Sequence, residues 1–156
     1  MKIDLKRLIF SILVPLGVGG LAAFMTRDGI ALFEAMSKPP LTPPAWVFPV
    51  VWSILYILMG FASYRIAHAP KPAAYKSKTL ILYAIQLFFN FVWPLFFFGM
   101  RAYLIALIWL VLLWGMILWL CIRAWFIDRV AFWCLVPYLV WVIFAGYLNL
   151  MYALAA

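Results

Sequence analysis

The side chains of this chain that could do chemistry are amides, phenols and indoles set at helical spacing within apolar segments. Gln86, Asn90, Trp93, Pro94 and Phe97 fall at offsets of 0, 4, 7, 8 and 11 and form one helix stripe. Tyr138, Trp141, Ala145, Asn149 and Tyr152, at offsets of 0, 3, 7, 11 and 14, form a second. Trp52, Tyr56 and Gly60 recur every four residues on a third face. An uncharged amide in hydrocarbon needs a hydrogen-bond partner, so it faces a neighbouring helix or a cavity. For Gln86 an interhelical bond worth about 1 kcal/mol is the simpler reading; Asn90, with Trp93 on its face, reads as pocket lining. A cavity walled by indole, phenol and amide suits a large planar aromatic guest, and Ala145, small among large neighbours, leaves it room.

Acid–base, nucleophilic and metal chemistry find no constellation. His68 is the single histidine and lies in a loop beside Pro70 and Pro72. Asp4, Asp28, Glu34 and Asp128 all fall outside the apolar runs. That leaves no buried carboxylate pair and none of the intramembrane ionisable groups that proton-coupled transporters use. No His, Cys, Asp or Glu set has metal-ligand spacing, so no metal is expected. The serines at 11, 37, 53, 63 and 77 have no histidine placed to activate them, and no glycine loop could cradle a phosphate. Cys121 and Cys134 are too few for a disulfide framework and read as small apolar residues.

The elements that must position these groups are membrane helices. The chain has 156 residues, 71% of them hydrophobic and 20% aromatic, with a mean hydropathy of +1.14. Five apolar runs approach the roughly 20 residues that a spanning helix requires. They cover about 8–25, 46–67, 80–99, 103–122 and 130–154, with an outer lid loop over 26–45. The expected fold is an all-α integral membrane protein, a five-transmembrane-helix bundle forming a single membrane domain. The first run is read as a retained span and not as a cleaved signal peptide, because it is long for such a segment. The net charge of +8 comes from cations spread singly between apolar runs, which argues against nucleic acid as a partner. Nine cations (Lys2, Lys6, Arg7, Arg65, Lys71, Lys76, Lys78, Arg123, Arg129) fall on the N-terminal side and three (Arg27, Lys38, Arg101) on the other. In a bacterial cell membrane this asymmetry places the N-terminus in the cytoplasm and the C-terminus outside.

Depth brings the stripes together. Trp52 lies roughly 10–12 Å below the outer surface at 1.5 Å per residue, and the opposite run of the third and fifth spans brings Asn90, Trp141 and Ala145 toward it. The loop above them is long enough to act as a lid. Its pairs Pro39-Pro40 and Pro43-Pro44 hold it extended, and Pro43 or Pro44 can open the second span. Residues 30–36 are expected to form a short helix, with Phe33 and Met36 touching a ligand from above. Arg27, Lys38 and Arg101 either pair with ligand carboxylates or anchor the helices at the interface.

Certain residues together resemble the translocator protein family, also called tryptophan-rich sensory proteins or peripheral benzodiazepine receptors. They are Lys38-Pro39 followed by Thr42-Pro43-Pro44, and Trp52-Ser53-Ile54-Leu55-Tyr56 with Gly60. Asn90-Phe91-Val92-Trp93, Phe96-Phe97, and Pro137-Tyr138-Leu139-Val140-Trp141 leading to Ala145, Tyr147-Leu148 and Asn149 complete the set, which spans essentially the whole chain. The resemblance implies a homodimer of five-helix bundles, each with a lidded pocket for porphyrins and haem-like tetrapyrroles, held non-covalently, and for synthetic isoquinoline or benzodiazepine ligands. By position it implies that Asn90, Trp93, Tyr138, Ala145, Leu148 and Asn149 line the pocket, with Phe33, Pro43 and Phe48 at the lid and entrance. Trp52 and Trp141 match tryptophans linked to light-dependent porphyrin breakdown in bacterial members. The departures are Leu41, where tryptophan is common after the Lys-Pro pair, and Leu32 and Phe33, where tryptophan and tyrosine are common. No Lys or Arg follows Arg129, so the C-terminal cholesterol motif is missing and animal-like sterol binding is not expected. The bacterial type fits better.

The expected function is a tetrapyrrole-binding membrane protein acting as sensor, regulator or carrier, with lipids and hydrophobic small molecules as its other partners. Two alternatives stay open. One is a light- and oxygen-dependent porphyrin-degrading enzyme using Trp52 and Trp141; the other is a transporter of porphyrins or lipophilic small molecules.

Overall fold

The computed structural model describes residues 2–156. Six α-helices follow one another: α1 (Leu5–Met25), α2 (Arg27–Glu34), α3 (Val47–His68), α4 (Ala73–Pro94), α5 (Tyr103–Ile127) and α6 (Arg129–Ala155). A π-helical turn, Leu95–Gly99, continues α4 beyond Pro94. All except α2 are long and apolar enough to cross a membrane, so the protein is an all-α integral membrane bundle of five spans. The spans close into a ring in the order α1, α3, α6, α5, α4 and back to α1. Among the buried residues at its centre are Met59, Ala62, Ile66, Ile117, Leu120, Leu135 and Val142. Phe10, Leu104, Ile108 and Phe126 face outward, as lipid-facing positions must.

Several boundaries differ from those read by hydropathy. α4 starts at Ala73, seven residues before the apolar run, because Pro72 is a natural helix opener and the polar first turns are satisfied locally. Lys76 Nζ donates to the Ala67 carbonyl at 3.1 Å, and Arg123 donates to Thr79 Oγ1 at 2.8 Å and to the Tyr75 carbonyl at 3.1 Å. Long cationic side chains on apolar stems let a helix extend past its hydrophobic window. α3 starts at Val47 and not at Pro43 or Pro44, since Thr42 turns its N–H and hydroxyl onto the Pro39 carbonyl and Leu41 takes a left-handed φ of 68°. The lid helix is α2, which starts three residues and ends two residues earlier than expected.

One close approach and a set of polar ties fix the helix spacing at the N-terminal end of the bundle. A Cβ built on Gly60 would lie 2.5 Å from Ile12 Cα, so α1 and α3 meet backbone to backbone there. At the same end Asp128 caps α6 through the Ala131 N–H at 2.9 Å and takes a two-pronged ion pair from Arg65 at 2.7 and 3.2 Å. The backbone N–H of Asp4 donates to the Tyr64 hydroxyl at 2.8 Å, tying the start of α1 to the end of α3. The N-terminal half is thus pinned, and the cavity lies in the other half.

Candidate ligand-binding site

The floor of the site is a directed hydrogen-bond chain. The Tyr56 hydroxyl donates to Asn90 Oδ1 at 2.7 Å, Asn90 Nδ2 donates to the Tyr138 hydroxyl at 2.8 Å, and Tyr138 donates to Gln86 Oε1 at 2.8 Å. This resolves the partners of both amides: Gln86 is fully buried and bonded across to α6, and Asn90 is the link that reaches the cavity. Trp52 stacks on Tyr56 with ring centroids 5.6 Å apart and meets Tyr138 edge-on. Trp93 is held from behind, its Nε1 donating to Asn149 Oδ1 at 3.0 Å, while Asn149 Nδ2 donates to the Tyr103 carbonyl at 2.8 Å.

Above this floor is a cavity of about 420 Å³ with a largely apolar wall, built from α1, the lid, α3, α4, its π-turn and α6. Trp52, Tyr56, Asn90, Trp93, Phe97, Trp141, Ala145 and Leu148 line it, with Phe33 and Phe48 at its upper rim. Tyr138 and Asn149 do not line it. Both are fully buried one layer back, where they orient Asn90 and Trp93. Pro43 is half-buried in the lid connection, outside the lining. The indole Nε1 of Trp141 is buried without a partner, a free donor in the cavity wall, and Gln86 Nε2 in the layer behind is likewise unpartnered.

Of the three cations on the lid side, only Lys38 lines the cavity. Its ammonium donates to the carbonyls of Phe33 and Glu34 at 3.2 Å each, capping α2, and lies 4.8 Å from the Phe33 ring centroid. Glu34, which sequence reasoning did not place there, also lines the rim. Arg27 instead folds back on the last turn of α1, 4.2 Å over Phe24 and bonded to the Phe24 carbonyl. Arg101 sits at φ 51°, beside Gly29 and Met36 on the far side of the lid helix. The contribution of α1 and its C-cap (Leu16, Gly19, Gly20, Ala22, Ala23 and Thr26) was also missed. Its one signal in the sequence is the run of small residues Gly17, Gly19, Gly20, Ala22 and Ala23, which suits close helix packing equally well.

The lid is docked by shape. Phe33 packs against Phe97, Phe98 and Tyr152 with centroids 5.6, 5.1 and 5.0 Å away. Gly29 lies so close to the Phe98 carbonyl that a Cβ would overlap it. The Tyr147 hydroxyl latches the irregular connection after α2 through the Pro40 carbonyl at 2.8 Å. Among the described residues no cluster of His, Cys, Asp and Glu could hold a metal ion.

Comparison with known proteins agrees with this architecture. The profile of the TspO/MBR family matches residues 11–154. The chain is 35% identical to the tryptophan-rich protein TspO of Chlorobaculum tepidum over 142 residues, covering 91% of this chain and 89% of that protein. It is 37% identical to the translocator protein of Bos taurus over 144 residues, covering 90% and 83%. Against the tryptophan-rich sensory protein of Cereibacter sphaeroides it is 35% identical over 120 residues, covering 75% and 72%. The chain therefore belongs to the TspO/MBR family.

Proposed function

We propose that this protein binds a flat, largely apolar ligand of the tetrapyrrole class in the lidded cavity and acts as a membrane sensor or carrier for it. The observation that carries this reading is the joining of three indoles, Trp52, Trp93 and Trp141, to an amide–phenol floor in one cavity of about 420 Å³, within the size range of small-molecule sites. The indole faces suit a conjugated ring, and Asn90 and the free Trp141 N–H suit polar atoms on it. The rim fits less generously: Lys38 is the single cation there and Glu34 accompanies it. One ligand carboxylate can be met, and a second is left to solvent or headgroups. Smaller isoquinoline- or benzodiazepine-type molecules meet the same walls. The names of the relatives, sensory and translocator, agree with a sensor or carrier.

Because Trp52 and Trp141 share the cavity, a light-driven oxidative breakdown of the bound pigment is the second reading. A single experiment separates them. Purified protein is titrated with protoporphyrin IX in the dark, following tryptophan quenching, and the complex is then illuminated in air. Saturable binding with no protein-dependent product supports the sensor or carrier. Bleaching to a defined product that Trp52→Phe or Trp141→Phe abolishes, with binding largely kept, supports the enzyme. Absence of saturable binding overturns both. We also assign the protein to a bacterial cell membrane with a cytoplasmic N-terminus, on the nine-to-three cation asymmetry. The homodimer implied by the family resemblance is tested by sedimentation in detergent.

A further inference from the structure

We infer that a second, polar site lies behind the cavity floor, where Gln86, Tyr83 and Ser63 hold an ordered water molecule that ties α4 to α3. None of the three lines the ligand cavity, so the inference stands apart from the binding role proposed above. All three are deeply enclosed, at 0, 7 and 8% exposure. Two of them carry a polar atom with no partner, Gln86 Nε2 and Tyr83 Oη. Within hydrocarbon such groups are paired with protein or with water, because lipid chains offer nothing to receive them.

Register brings the three together. Tyr56 on α3 meets Asn90 on α4 at 2.7 Å, and as successive spans the two helices run antiparallel. Ser63 is seven residues beyond Tyr56, and Tyr83 is seven residues before Asn90. Seven residues make about two helical turns, so Ser63 stands opposite Tyr83, about 10 Å further from the cavity than the first contact. The two hydroxyls lie side by side, yet Tyr83 Oη is left unsatisfied. Gln86 lies one turn from Tyr83 on the same face of α4. Its orientation follows from the floor chain: Tyr138 accepts from Asn90, so its own proton goes to Gln86 Oε1 and Nε2 is turned away.

The chemistry of these groups fits water. Gln86 Nε2 and Tyr83 Oη both offer protons. Ser63 Oγ donates to the Gly60 carbonyl at 2.8 Å and keeps lone pairs with which to accept. A water that accepts from Gln86 and Tyr83 and donates to Ser63 makes about three bonds, the usual number for a buried one. A halide would take the same two donors, but an anion in hydrocarbon needs a cation beside it. Arg65, two residues past Ser63, is already bonded to Asp128. The water is thus the last link of the chain that begins at Tyr56. It fixes the free end of the amide that positions Tyr138 and, through Tyr138, Asn90.

The first test is a crystal structure of the full chain grown from a lipid cubic phase. One oxygen-sized density peak is expected within about 3 Å of both Gln86 Nε2 and Tyr83 Oη. A direct bond from Gln86 Nε2 to Tyr83 or Ser63, or an anomalous signal at the site after bromide soaking, would overturn the water. The second test is made in liposomes. Gln86 is the one glutamine in the sequence, so glutamine labelled with nitrogen-15 in its side chain gives a single assigned amide. Under magic-angle spinning its protons should exchange magnetisation with water. Tyr83→Phe and Ser63→Ala each leave the water two partners and should keep this transfer, whereas the double variant leaves one and should abolish it. Loss of transfer in Tyr83→Phe alone, or its persistence in the double variant, would trace the signal to a tyrosine hydroxyl and sink the inference. So would its absence from the wild type, which decides the matter even if the double variant fails to fold. Neither measurement uses protoporphyrin IX, so a failure of the proposed function leaves both intact.

Discussion

Asn90 shows how a single amide becomes selective. Its oxygen is taken by Tyr56 and one amide proton by Tyr138, so it is held at fixed orientation with one proton left over. The cost of placing such groups in hydrocarbon is met only while each has its partner. Tyr138→Phe removes the hydroxyl that both accepts from Asn90 and donates to Gln86, leaving two buried amides short of a partner. We expect a loss of about 1–3 kcal/mol in stability, read by thermal denaturation in detergent, together with weaker ligand binding as Asn90 loosens. Ala145 acts by size alone. It lines the cavity and is nearly buried, so Ala145→Leu fills ligand space without adding a polar group. Affinity for protoporphyrin IX should fall by more than about tenfold, a cost above about 1.4 kcal/mol, while the melting temperature stays close to the wild type. Unchanged affinity would show that the ligand does not reach this face of α6.

At the scale of elements, the lid helix is seated on a specialised turn. Pro94 and the π-turn at Leu95–Gly99 carry Phe97 and Phe98 into the seat of α2, and Gly29 allows the helix to approach the Phe98 carbonyl. Single π-turns within helices recur at functional sites because they re-aim side chains by an extra residue. Gly29→Ala must lift α2 off this seat, a strain of about 1–3 kcal/mol, and amide exchange across residues 27–45 should accelerate while that of α5 does not. Gly60→Ala tests the opposite contact. Its methyl group would overlap the Ile12 backbone, so α1 and α3 must separate, and we expect a similar loss in thermal stability without any change in the lid. A lid effect from Gly60→Ala equal to that of Gly29→Ala would show that the two ends of the bundle move as one body.

For the whole molecule, polar ties between helices are distributed unevenly along the bundle axis. The cation-rich end is fastened by Arg65–Asp128, by Arg123 on Thr79 and by Asp4 on Tyr64. The other end keeps its helices apart around a cavity. Asp128 serves twice, since the same carboxylate caps α6 and holds Arg65. Asp128→Ala should therefore destabilise by about 3–5 kcal/mol if the pair behaves as buried, and by less in proportion to its partial exposure. The topology is checked with an impermeant maleimide on intact cells. A cysteine at Ala156 should label from outside, and one at Lys2 only after permeabilisation; the reverse pattern would overturn the assigned orientation.

Much of this was legible in the sequence because its causes are local. Apolar run length determined five spans, and helical periodicity put Gln86 with Asn90 and Tyr138 with Trp141 on common faces, since 3.6 residues per turn holds whatever the neighbours are. What the tertiary structure decided depends on how helices rotate and which acceptors lie nearby. The rotation of α4 and α6 set Tyr138 and Asn149 behind the wall and left Trp93 and Ala145 in it. Local carbonyls decided the cations: Arg27 found Phe24 and Lys38 found the end of α2, partners within five residues that cost little chain entropy to reach. The role of α1 was hidden for the same reason. A glycine carries no side chain to announce its face, and only the neighbouring helix determines whether it is packed, as at Gly19, or open, as at Gly20.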